Sequence, residues 1–200
     1  MPDIDLIVPT VPGREESLKR CLRSFGDEVN PIIVRGEQTC GAGWTQGIRR
    51  SAGDYLILCC DDIEADPDLD LEACVETVDD GYLPAPIVLR PNGALESAGG
   101  DMNALACLIS NIQPDWTPVD FTPLPFVSRE QIKKIRMIPS HMMSDVWVSY
   151  RGREFGYETV LRHPFKLIHH HEMTGRKPGT DAVDRKIFTE AMDYYGSRDR

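Results

Sequence analysis

The sequence predicts an α/β fold: a Rossmann-like, mostly parallel sheet with helices on both faces, in a single compact domain. Three observations carry this expectation. The first 80 residues alternate short apolar runs with amphipathic stretches in a β-α-β-α-β-α order, which implies right-handed crossovers and a parallel sheet. The run Tyr55-Leu56-Ile57-Leu58-Cys59-Cys60 is apolar without alternation, as expected of a strand covered on both faces. The chain is 200 residues long with 41% hydrophobic and 27% charged residues, the size and composition of one soluble domain.

Taken in order, Ile4 to Val8 reads as the first strand, ending at Pro9-Thr10. Arg14 to Phe25 carries Leu18, Cys21, Leu22 and Phe25 at helical spacing with charges between them. Pro31 to Val34 is a second strand. Residues 44–52 read as a short helix bounded by Gly41, Gly43 and Gly53. The strand 55–60 runs directly into Asp61-Asp62-Ile63-Glu64, and Asp68 to Val78 forms the next amphipathic helix. Pro84 to Leu89 is a strand followed by a Pro91-Asn92-Gly93 turn. Residues 96–123 are loop-rich. Ser128-Arg129-Glu130-Gln131 is a capping box for a helix through Ile135, and Asp145 to Phe155 is a helix stopped by Gly156. Tyr157 to Leu161 reads as a strand, and Leu167-Ile168 leads into His169-His170-His171-Glu172. A last helix from Asp181 to Tyr195 places Val183, Ile187, Phe188, Ala191 and Tyr194 on an apolar side.

Charge and cysteine usage narrow the function classes. A net charge of -10 argues against non-specific nucleic-acid binding, which needs a basic face. No apolar run reaches the ~18 residues of a membrane span. The acidic N-terminus enters a strand at once, unlike a signal peptide. The six cysteines include no CxxC pair and adjacent Cys59 and Cys60, which face opposite sides of a strand. Reduced, mostly buried thiols and a cytoplasmic location are expected.

The acids at the end of the 55–60 strand are the first functional signal. In open α/β sheets ligands bind at that edge. Carboxylates fixed there suit a hard divalent cation, which takes oxygen ligands and carries phosphates. A solvated acidic loop is the plainer alternative.

The order of features resembles a family 2 glycosyltransferase of the GT-A type, with the rhamnosyltransferase-like subgroup the most similar. The resemblance spans Ile4 to Glu172. It rests on Ile7-Val8-Pro9-Thr10 with Arg14, and on Gly41-Ala42-Gly43-Trp44-Thr45-Gln46-Gly47-Ile48. It rests also on Asp61-Asp62 with Asp66-Pro67-Asp68, and on Ala85-Pro86-Ile87-Val88-Leu89 with Glu96-Ser97-Ala98-Gly99-Gly100. The last motif is Asp145, Arg151, Gly156-Tyr157 and His170-His171-Glu172. Where the family carries an Asp-Asp-Gly-Ser turn, this chain has Arg35-Gly36-Glu37-Gln38. The family's asparagine is replaced by Thr45, and the acid before its catalytic aspartate by Ser144.

The resemblance implies an inverting glycosyltransferase of hexosyltransferase type, which moves a sugar from a nucleotide-sugar donor to a hydroxyl acceptor. That acceptor is a glycan, a protein, a lipid-linked sugar or a modified nucleobase. It assigns Mn2+ or Mg2+ to Asp62 and Glu64, with His170 as the histidine ligand. On an extended segment, however, His169 and His171 share one side and His170 the other. Pro9, Thr10, Arg14, Glu37, Asp61 and Arg151 fall at positions facing the nucleotide, Arg151 reaching the diphosphate or only pairing with a surface acid. Asp145 takes the position of the general base, or else is a helix-start acid favoured by the dipole. Residues 1–80 then form a nucleotide-binding half, 81–175 an acceptor and catalytic half, and 176–200 a C-terminal helix. Two alternatives stand beside this reading: a sugar-nucleotide-binding protein with impaired catalysis, and a nucleotidyltransferase.

Overall fold

The structure is a computed structural model and describes residues 2–37, 39–102, 107–140, 143–171 and 180–196. The first half runs β1 (Ile4–Thr10), α1 (Glu15–Phe25), a 3-10 turn (Gly26–Glu28), β2 (Asn30–Arg35), α2 (Cys40–Arg50), β3 (Tyr55–Leu58), β4 (Ile63–Ala65) and α3 (Leu71–Asp79). The second half runs β5 (Leu83–Leu89), β6 (Leu95–Ala98), β7 (Gly100–Asp101), β8 (Cys107–Leu108), β9 (Phe126–Ser128), α4 (Arg129–Ile135), α5 (Ser144–Glu154), β10 (Thr159–His169) and α6 (Thr180–Gly196).

Two four-stranded sheets have the orders β2-β1-β3-β9 and β4-β10-β5-β6. β1 is parallel to β2 and β3, and β5 is parallel to β10. The antiparallel strands β9, β4 and β6 lie at the margins. Alternation along the strands of the first sheet sends side chains to two separate cores. Leu6, Val8, Ile57 and Cys59 pack with Leu18, Cys21 and Phe25 of α1 and Cys74, Val75 and Val78 of α3. Ile7, Leu56 and Leu58 face the other way, onto Trp44 of α2, Ile132 and Ile135 of α4, and Trp147 and Val148 of α5. Each such fully buried Leu, Ile or Phe stabilises the fold by about 1.5–3 kcal/mol. Helices therefore cover both faces, as the unalternating strand predicts.

Several boundaries differ from the expectations. α2 begins at Cys40, four residues early, because Thr39 caps it by accepting from the Ala42 amide. Its glycines lie inside the helix and let it sit close on β1: a Cβ on Gly43 would meet Pro9, and one on Gly47 would meet Ile7. β3 leaves the ladder after Leu58. Cys59 is still held on both sides, its amide donating to the Ile7 carbonyl at 3.0 Å and its carbonyl accepting from Trp44 Nε1 at 2.8 Å. The chain then turns at Asp61-Asp62 into β4, which the sequence does not announce. β10 is one long strand where a break was expected; its register against β5 shifts between Leu161 and Lys166, the stretch that contains Pro164. On α6, Ile187 and Phe188 pack into the second core, whereas Val183 is exposed. The side chains of Ala191 and Tyr194 lie outside the described residues, as do Gln38 and Glu172. Cys21, Cys59 and Cys74 are buried free thiols, Cys40 and Cys60 half-buried and Cys107 exposed.

Candidate metal and nucleotide site

The site forms where β1 and β3 end side by side. Thr10, the last residue of β1, donates its hydroxyl to Asp61 Oδ2 at 2.7 Å. Arg14, one residue before α1, donates Nε to the same oxygen at 3.0 Å and sets a terminal nitrogen 2.7 Å from Asp61 Oδ1. The same guanidinium lies 3.4 Å from Asp62 Oδ2. All four side chains are buried, so this two-pronged grip fixes Asp61 and places positive charge beside both acids. Four residues expected at the site are thus brought together. Burial tends to raise the Asp62 pKa, but the hydrogen bond and charge of His169 and the charge of Arg14 outweigh it and hold the carboxyl below its usual value.

The histidine that meets Asp62 is His169. Its Nε2 lies 3.5 Å from Asp62 Oδ2, and its Nδ1 lies 2.9 Å from Glu96 Oε1 on β6. Glu96 also binds His171 Nε2 through its second oxygen, and the two imidazole rings lie close together, tilted by 32° with centroids 3.9 Å apart. Burial lowers the His169 pKa, yet the hydrogen bonds to Asp62 and Glu96 prevail and raise it. His169, His171 and Glu96 present ligand atoms within 4.8 Å of one another. Asp62 faces one nitrogen of His169 while Glu96 gathers the rings of His169 and His171, and an imidazole nitrogen beside a carboxylate fits Mn2+ better than the all-oxygen shell preferred by Mg2+.

The expected ligands His170 and Glu64 contact each other rather than this group. β10 runs antiparallel to β4 with Ile168 opposite Glu64, and the His170 amide donates to the Asp62 carbonyl. Residues 168 and 170 share one face of the strand with Glu64, and His169 takes the other face. His170 Nε2 accordingly sits 2.7 Å from Glu64 Oε2, which also faces Arg20 Nε at 3.7 Å. Period-two alternation separates His169 from His170 in the sequence, but Asp62 lies in the turn just before β4, outside that alternation, and its side chain meets His169 although its backbone is opposite His170.

The remaining candidates take distinct places. Pro9 is half-buried beside Gly43 at the end of β1. Glu37, just past β2, accepts from Gln46 Nε2 at 2.7 Å and is thereby anchored to α2. Arg151 is buried, pairs with Glu154 of its own helix, and lies over the rings of Trp147 and Phe155. Asp145 lies in the first turn of α5. The preceding Ser144 hydroxyl donates to the Ser140 carbonyl, which also accepts from the Gly41 amide at the start of α2. The Sγ of Cys40 is 3.5 Å from that of Cys60. These contacts tie the start of α5 to the start of α2, and α2 to Cys60 just before the acids. Asp145 Oδ1 accepts from the Val146 amide. Loss of surrounding water pushes its carboxyl up to about 7, more than the backbone hydrogen bonds lower it, and Asp184 adds to the rise.

No family model matches the chain, and no curated protein matches it in sequence. In fold it is similar to GalNAc-T7 solved with UDP, GalNAc and Mn2+, with a TM-score of 0.72 at 11% identity. That likeness covers 96% of this chain and 48% of the other, so the chain spans about half the length of that protein. The catalytic domain of Drosophila β1,4-galactosyltransferase 7, solved with xylobiose, aligns with a TM-score of 0.60 at 14% identity, covering 92% of this chain and 80% of that one. S. aureus TarS aligns with a TM-score of 0.61 at 10% identity, covering 95% and 40%. These likenesses establish a glycosyltransferase fold of the GT-A type. Among the described residues no helix is long and apolar enough to cross a membrane.

Proposed function

We propose that the chain is an inverting, divalent-metal-dependent glycosyltransferase of hexosyltransferase type, similar to the rhamnosyltransferase-like members of family 2. It transfers a sugar from a nucleotide-sugar donor to a hydroxyl acceptor. The observation that carries this reading is the meeting of Asp62 and His169 at the end of β3, beside an Asp61 fixed by Thr10 and Arg14. The fold of GalNAc-T7, solved with UDP and Mn2+, is the frame in which such a site is read.

In this proposal Asp62 and His169 hold the cation, in place of Glu64 and His170. When bound, the cation offsets the negative charge that develops on the diphosphate leaving group. Pro9 and Thr10 line the exit of β1, where the nucleotide lies. Glu37, anchored by Gln46, faces the base. Arg14 keeps Asp61 oriented while adding positive charge near the phosphates. Asp145 removes the proton of the acceptor hydroxyl as its oxygen attacks the anomeric carbon from the side opposite the diphosphate. A carboxyl with a pKa of about 7 is a far better proton acceptor than an ordinary aspartate and is still ionised at mildly alkaline pH.

The product distinguishes this reading from its rivals. Purified protein is incubated with a panel of nucleotide sugars and sugar acceptors in Mn2+ or Mg2+. Release of nucleoside diphosphate with at least one donor is expected, faster with Mn2+. Pyrophosphate as product would indicate nucleotidyl transfer, and donor binding without any turnover would indicate a binding protein.

A further inference from the structure

We propose that Glu96 is the positioning residue of this metal centre: it sets the tautomer and ring orientation of His169, so that Nε2 is left free for the cation beside Asp62. The proposal rests on the metal role given above to Asp62 and His169.

Three observations support it. First, the 2.9 Å contact of Nδ1 with Glu96 Oε1 is the shorter of the two contacts this ring makes with carboxylates, so in the neutral ring Nδ1 is the nitrogen that donates. The other ring nitrogen, 3.5 Å from Asp62, is then the one available to a cation. A carboxylate behind a metal-binding imidazole fixes the ring and increases its basicity. Second, each oxygen of Glu96 is engaged by its own imidazole, Oε1 by His169 and Oε2 by His171. The carboxylate thus holds the two rings against each other and is committed to the histidines. Its side chain is only 9% exposed, which favours a fixed orientation over a solvated one. Third, the backbone is irregular at this residue. Ser97 pairs with Val88, but the next pair is Leu95 with Leu89, so Glu96 is the extra residue of a β-bulge. Bulges re-aim a side chain out of the regular alternation and are enriched beside active sites. Here the bulge lies on a hairpin that would otherwise be an ordinary margin of the sheet.

The test follows His169 in metal-free protein. Histidine-labelled wild type, E96Q and E96A are compared by nitrogen-15 NMR at pH 9, and Mn2+ affinity is measured on the same samples by electron paramagnetic resonance. In wild type His169 is expected as the Nδ1-protonated tautomer. In E96Q the amide oxygen still accepts that proton, so the tautomer and most of the affinity should be retained. In E96A the tautomer should shift toward Nε2-H, and Mn2+ affinity should fall about 10- to 100-fold. An unchanged tautomer in E96A would overturn the proposal. Equal loss of affinity in E96Q and E96A, with the tautomer kept in E96Q, would make Glu96 a direct ligand and also overturn it. Mn2+ affinity is measured for His169→Ala in parallel. No loss there would reject the metal site itself, separately from the tautomer result.

Discussion

Asp145 is the residue at which environment and chemistry are most tightly linked. Its carboxyl is raised from 3.8 to about 7, chiefly by burial. A base must be ionised, so turnover should rise with pH along a limb centred near 7. Asp145→Asn should lower turnover about 100- to 10,000-fold and leave nucleoside diphosphate affinity nearly intact. The same shift has a consequence for stability. Between about pH 4 and 7 the folded state keeps a proton that the unfolded chain has lost, so stability falls as pH rises through that window. Removing the charge should therefore leave Asp145→Asn melting at or above wild type at pH 8. A lower melting temperature there, or turnover above about a third of wild type, would return Asp145 to the role of a helix-start acid. At this scale Asp61, Asp62, Thr10 and Arg14 are legible in the sequence because strand ends are. The choice between His169 and His170 is not, since it depends on how the turn before β4 aims the Asp62 side chain.

At the level of elements, α2 shows how sequence signals can be read correctly in kind and misplaced in position. Its glycines suggest boundaries, yet Gly41, Gly43 and Gly47 are helical residues at which the neighbouring structure comes too close for a side chain. A Cβ on Gly47 would lie 2.1 Å from Ile7 Cγ2, and one on Gly41 would lie 2.2 Å from the Ile138 carbonyl. Gly47→Ala should gain helix propensity but lose more through overpacking, for a net destabilisation of about 1–3 kcal/mol in a denaturant titration. An alanine that stabilises the protein would mean α2 does not rest on β1 at that distance. Helix caps were the most readable features: the Ser128–Gln131 box forms as its spacing predicts, and Gly156 ends α5 with a φ of 82°. The short strands β4 and β6 were not readable, because three or four residues carry too little periodicity to distinguish strand from loop.

Across the whole molecule, three parallel strands deliver polar groups to one edge: Thr10 after β1, Glu37 after β2, and Asp61 and Asp62 after β3. The second sheet brings His169 and Glu96 to meet them. The first contribution follows from the β-α-β order and is legible early in the chain. The second depends on contacts between residues more than 70 positions apart, which periodicity alone does not reveal. The division into a nucleotide-binding half (1–80) and an acceptor half (81–175) is our proposal, and it implies a cation bound at their meeting point. Crystals soaked with Mn2+ and a nucleoside diphosphate, with data collected near the manganese absorption edge, test this directly. The account predicts one anomalous peak within coordination distance of Asp62 Oδ2 and His169 Nε2, with the diphosphate beside Thr10 and Arg14. A peak between Glu64 and His170, or a diphosphate bound away from the ends of β1 and β3, would contradict it.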